Sequence, residues 1–162
     1  MSKLEACDTS ELLSRTKKYC EAALPTAENK RAVWAKLFDS KDEMSMKEVW
    51  EMCAGFRQLP HRELIAEFDE EFFVRIEQVV QQKHISFSEA YYWYLQPNMM
   101  ANDREICMFR AFLNKLCEVE KAKRKEGADR LINWVKDSLQ DLKEKKFARA
   151  LSQQWLQDKG LI

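Results

Sequence analysis

Residues 25–38 read PTAENKRAVWAKLF, and the reading of this stretch decides the fold class. Pro25 ends any helix that precedes it, because its ring removes a backbone N–H and crowds the turn before. Thr26 is placed to cap a new helix, and Val33, Trp34, Leu37 and Phe38 then fall on one face at helical spacing. A stop, a cap and an apolar stripe in succession predict an amphipathic helix.

The same reading extends both ways. Upstream, a short polar start from Met1 to Thr9 runs into a helical pattern from about Glu11 to Leu24. Downstream, Asp39 to Glu43 reads as a polar loop, after which Ser45 and Glu48 have the spacing of a capping box, with Met44 and Val49 placed as its hydrophobic staple. The helix opened there has Met46, Val49, Trp50 and Cys53 as its apolar face, and Gly55 is expected to supply a left-handed stop. From His61 the positions Leu64, Ile65, Phe68, Phe72, Ile76, Val79 and Val80 keep a helical period, with a break expected near Asp69.

Ser86 and Glu89 repeat the capping-box spacing ahead of an aromatic helix with Tyr91, Trp93, Tyr94 and Leu95, which Pro97 stops. Asn102 and Glu105 make a third such signature, followed by Ile106, Phe109, Leu113, Leu116 and Cys117 along one stripe. The basic run from Lys121 to Lys125 is expected to end that helix in solvent. After Gly127, Leu131, Ile132, Val135, Leu139 and Leu142 form another stripe, and Phe147, Leu151 and Trp155 either continue it or belong to a separate last helix.

Composition supports this reading. Only three glycines and three prolines occur in 162 residues, too few for the turns of an all-β fold, and 46% hydrophobic residues suffice for a continuous core. The 27 basic and 27 acidic residues cancel, so no long-range field draws in nucleic acid or an anionic membrane. Five dispersed cysteines (Cys7, Cys20, Cys53, Cys107 and Cys117) suit a reducing compartment. No apolar run approaches the roughly 20 residues that span a bilayer, and no signal peptide is legible, so a cytoplasmic protein is expected.

The helices group into antiparallel pairs, roughly Thr26 to Phe56, Pro60 to Gln96 and Asn102 to Leu142, at a period near that of HEAT or armadillo repeats. The expected architecture is all-α, a short α-solenoid of antiparallel helix pairs forming one helical-repeat domain over 1–162.

Catalytic constellations are hard to assemble. A metallopeptidase helix needs two histidines one turn apart around an acid, whereas the only histidines are His61 and His84, and His61 has no partner four residues on. Cys53 with His61 is the sole sequence-local thiol and base, yet Cys53 shares a face with Met46, Val49 and Trp50 and reads as core. Phosphate loops require glycine clusters that isolated Gly55, Gly127 and Gly160 do not provide. Tyr91 to Tyr94 form a binding surface or, more simply, pack between repeats, and Lys121 to Arg124 read as a solvated helix end.

The phrase Pro25-Thr26-Ala27-Glu28-Asn29-Lys30 followed by Trp34 resembles the opening of the C-terminal helical domain in zinc peptidases of the aminopeptidase N family, peptidase family M1. Ser45, Ala54-Gly55-Phe56, Ala66-Glu67-Phe68, Phe72-Phe73 and Leu95-Gln96-Pro97 are similar to that domain in order and spacing. Arg149-Ala150-Leu151 is similar to its closing helix, although Lys145 and Lys146 stand where acids are more usual. The resemblance implies a non-catalytic domain that encloses the active site and helps select peptides. Zinc and the His-Glu-x-x-His helix would belong to an upstream catalytic domain of the same polypeptide, with no cofactor in this chain. Its partners would be that catalytic domain and the peptide substrate. Trp34, Gly55, Phe56 and Pro97 carry over as structural positions, and Arg57 and His61, at the inter-helix turn, as points of contact with substrate or catalytic domain. The alternative is an independent helical-repeat adaptor binding a partner protein.

Overall fold

In a computed structural model, residues 11–39, 44–122 and 127–161 are described, and all their regular structure is helical. The chain divides into two compact units, Met1–Pro97 and Asn98–Ile162.

The first unit contains α1 (Glu11–Ala22), α2 (Ala27–Asp39), α3 (Met46–Phe56), the short α4 (Arg62–Ile65), α5 (Asp69–Gln82) and α6 (Ile85–Leu95). Two single 3₁₀ turns, Leu59–His61 and Ala66–Phe68, flank α4. The break expected near Asp69 is the second of these turns. α1 packs chiefly on α3, α3 on α6 and α5 on α6. Thr26 caps α2 as expected, its hydroxyl accepting from the Asn29 N–H at 3.2 Å. The Ser45–Glu48 box closes in both directions at the start of α3.

The pair α5/α6 is antiparallel. Phe72 near the start of α5 meets Tyr92 near the end of α6 at 6.0 Å between ring centres, and Ser88 near the start of α6 donates to the Val79 carbonyl at 3.4 Å. In α2 and α3, Trp34 lies against Phe56 at 5.6 Å between ring centres.

A second relation recurs within this unit. Arg15 bonds Glu51, Arg31 bonds Glu67, Arg75 bonds Asp39 and Arg57 bonds the Trp93 carbonyl, and every one of these contacts joins residues 36 apart. The backbone approach of Gly55 to Tyr19 has the same separation. Because Arg15–Glu51 precedes Tyr19–Gly55 in both helices, α1 and α3 run in the same direction.

The core of this unit is aromatic. Trp34 stacks on Phe68 at 4.8 Å and touches Phe38 at 4.6 Å, while Phe38 meets Tyr91 at 5.0 Å between ring centres. Phe72, Ile76 and Val49 are almost fully buried beside them in the chain's apolar stripes.

The second unit is a helical hairpin of α7 (Asp103–Ala122) and α8 (Ala128–Asp158). Asn102 accepts from the Glu105 N–H at 2.9 Å, and Glu105 accepts from the N–H groups of Met100 and Asn102, so the third capping signature forms. Gly127 takes a left-handed φ of 79° just before α8. The polar start Met1 to Thr9, the loop residues 40–43 and residues 123–125 of the basic run lie outside the described residues.

Several expectations are corrected here. Gly55 is not a left-handed stop: it lies inside α3, which ends at Phe56 with Arg57 as its cap, and the positive-φ glycines among the described residues are Gly127 and Gly160. Trp50 does not share the buried face of Val49 and Cys53 but stands 47% exposed. The Ser86–Glu89 box is replaced by His84, whose Nδ1 accepts from the Ser86 N–H at 3.3 Å. Of the two alternatives open for Phe147, Leu151 and Trp155, the structure takes the continuous helix: α8 is unbroken over 31 residues from Leu131–Leu142 through Trp155.

Candidate functional site

The carbonyl groups in the last turn of a helix lack intrahelical partners and carry the negative end of the helix dipole. α1 ends at Ala22 and α3 ends at Phe56, and the two ends converge on the side chain of Lys30. Its ammonium donates to the Ala22 carbonyl at 2.7 Å and to the Phe56 carbonyl at 3.0 Å, and lies 5.4 Å from the centre of the Phe56 ring. Lys30 is fully buried. Among the described residues no carboxylate pairs with it, and burial lowers its pKa to about 8.

The neighbouring residues of the same phrase complete the node. Asn29 Nδ2 donates to the Glu21 carbonyl at 2.8 Å and to that of Leu24 at 3.4 Å, so α1 has a second side-chain cap. Gly55 allows the approach of the two helices, because a Cβ there would lie 2.3 Å from the Tyr19 carbonyl oxygen. Gln58 donates to the Ala54 carbonyl at 2.7 Å and to the Tyr19 hydroxyl at 3.1 Å, closing the turn after α3.

Arg57 and His61 both stand at this turn. Arg57 Nη1 reaches the Trp93 carbonyl of α6 at 3.3 Å, so its guanidinium helps to join α3 to α6. The His61 N–H donates to the Gln58 carbonyl at 2.8 Å, while its Nδ1 is buried with no hydrogen-bond partner. Burial, and then the charge of Lys30, holds the His61 pKa below the usual imidazole range. Trp34 is buried one turn beyond Lys30, with its Nε1 also unpartnered, and Phe56 is the ring beneath the Lys30 ammonium. Pro97 is apart from this group: it follows α6, whose cap Gln96 is extended at φ −58°, ψ 140°, as a residue before proline must be.

The arrangement is suited to holding helix ends and donating hydrogen bonds. Burial pushes the Cys53 thiol pKa up, so its sulfur stays protonated near neutrality. Among the described residues no three His, Cys, Asp or Glu side chains come together as a metal site.

Sequence reasoning missed Lys30, although a signal was present. Positions 30, 33, 34 and 37 share one helical face, so Lys30 is a cation within an apolar stripe, a placement that calls for buried acceptors. The aromatic run divides evenly: Tyr91 and Tyr92 are buried, Trp93 and Tyr94 exposed.

Compared with known proteins, the chain matches no family model and no curated protein sequence.

Proposed function

We propose that this chain is a non-catalytic helical-repeat domain of a zinc aminopeptidase of the aminopeptidase N family, built as a short α-solenoid, which encloses the active site and helps to select peptides. The observation that carries the reading is the convergence of the resembling residues: Asn29, Lys30, Gly55 and Phe56 all belong to one node that joins the ends of α1 and α3. A phrase shared for its packing should do this.

The solenoid is supported by the constant separation of 36 residues between contacts of successive helix pairs. Helical repeats stack each unit on the next by nearly the same displacement, which fixes such an offset in the sequence. In this reading the catalytic domain and its zinc lie upstream in the same polypeptide, and Arg57 and His61, at the end of α3, face the substrate side or the catalytic domain.

A second reading, an independent helical-repeat adaptor, draws on the exposed aromatic side chains Trp50, Trp93 and Tyr94 of α3 and α6. The two readings separate by assaying aminopeptidase activity on an amino-acid fluorogenic amide with added zinc, for this chain and for a version extended upstream in the same gene. An inert chain with an active longer protein supports the peptidase domain. An upstream sequence encoding no peptidase supports the adaptor, and activity of this chain alone overturns both.

A further inference from the structure

The chain passes from the first unit to the second after Pro97, and an unfavourable feature lies on either side of that point. Gln96 is 3% exposed, and its Oε1 has no hydrogen-bond partner among the described residues. Ala101 takes a φ of 46°, the one positive φ among the described non-glycine residues, and is 2% exposed. In that region the alanine Cβ crowds the following carbonyl oxygen, so an L residue stays there only where its surroundings hold it.

What holds Ala101 comes from both helices of the second unit. From α7, Glu105 accepts from the Met100 N–H at 2.9 Å and from the Asn102 N–H at 3.4 Å, so the residues before and after Ala101 are tied to one buried carboxylate. From α8, Arg149 donates to the Met100 carbonyl. That carbonyl belongs to the peptide group preceding Ala101, the plane from which the φ of Ala101 is measured, so Arg149 acts on the strained torsion directly.

The sequence of α8 places this cation. Leu139, Leu142, Lys146 and Arg149 follow at spacings of three and four, so they share one face of the helix, and that face changes from leucine to cation where it passes the turn. Lys146 pairs with Asp103 beside it. Leu142 is fully buried, whereas the bond from Arg149 lies at the exposed surface.

We propose that residues 96–103 form a strained latch, in which Arg149 holds Ala101 in its left-handed turn and its release lets the turn relax and the connecting chain open to water. Relaxation returns Ala101 to an ordinary backbone region and hydrates the Gln96 oxygen, so both unfavourable features drive the opening. The bond that opposes them is at the surface and breaks without unpacking the leucines of α8. The strain is inside and its handle outside, which makes the connection a two-state element of the fold. The proposal does not depend on the peptidase reading.

Amide hydrogen exchange, followed by NMR on the full chain, tests it. Arg149→Ala is expected to speed exchange at Met100 and Asn102 at least tenfold, while Phe109 and Val135, buried in α7 and α8, keep their native rates. Adding Ala101→Gly to that variant removes the left-handed penalty and is expected to bring both amides back to within threefold of native. An arginine that merely fastens the hairpin would not be rescued in this way, because glycine at 101 restores no contact to α8. Acceleration below tenfold in Arg149→Ala, equal acceleration at Phe109 and Val135, or no rescue by Ala101→Gly would each overturn the proposal.

Discussion

The ammonium of Lys30 donates to the carbonyl of Phe56 at 3.0 Å and lies 5.4 Å from the same residue's ring, so a single cation caps α3 and covers its last side chain. Replacement by methionine keeps the volume of the stem but leaves the Ala22 and Phe56 carbonyls without this donor. Lys30→Met is expected to cost about 1–3 kcal/mol of unfolding free energy at neutral pH, measured by urea denaturation.

The same lysine sets a pH dependence. Its folded pKa, about 8, lies below the ordinary lysine value, so between the two the unfolded chain binds more protons than the folded one. Stability from this group therefore rises as pH climbs through that window, and the neutral amine still has hydrogens for both carbonyls. The stability difference between the native chain and Lys30→Met is expected to grow from pH 7 to pH 10. A difference that stays flat or shrinks would show that the buried amine keeps the ordinary lysine pKa and stays protonated through this range.

His61 acts in the other half of the pH range. Its imidazole is held below the usual range by burial and by Lys30, so on acidification the unfolded chain takes up its proton first. The native chain should lose stability relative to His61→Asn as pH falls from 7 to 5, read as the separation of their urea midpoints.

Gly55→Ala places a methyl group 2.3 Å from the Tyr19 carbonyl oxygen. Backbone cannot turn aside as a flexible side chain can, so α1 must move off α3. The expected loss is about 1–3 kcal/mol despite the better helix propensity of alanine, which thermal unfolding would detect.

The ion pairs that join residues 36 apart differ in strength. Arg31 and Glu67 have side chains 60% and 41% exposed, and Arg31→Ala should cost under about 0.5 kcal/mol. Arg75 bonds Asp39 at 2.7 Å and Glu71 at 2.8 Å and lies over the Phe38 ring at 5.9 Å. Arg75→Ala should cost about 1 kcal/mol and be more sensitive to salt. Both values come from urea curves recorded at two salt concentrations.

Much of the helical order was legible in local pattern. Thr26, Ser45 and Asn102 act on backbone groups three residues ahead, so their capping roles need no tertiary information. One cap was misread: α6 is capped two residues before Ser86, by His84, whose Nδ1 accepts from the Ser86 N–H, so Ser86 lies inside the first turn instead of opening it. Trp50 was misplaced for another reason. It lies beside Val49 in sequence, and only the packing of α1 and α6 around α3 decides which side of that helix is covered.

By itself, then, the sequence determined the all-helical class and most helix starts, since these follow from hydrogen bonds and apolar spacing within a few residues. The tertiary structure decided the surroundings of Lys30, Gly55 and Trp155. The acceptors of Lys30 belong to two other helix ends, the atom that forbids a side chain at 55 lies 36 residues away, and the exposure of Trp155 follows from where α7 begins. Each depends on a distance between segments that no local periodicity encodes.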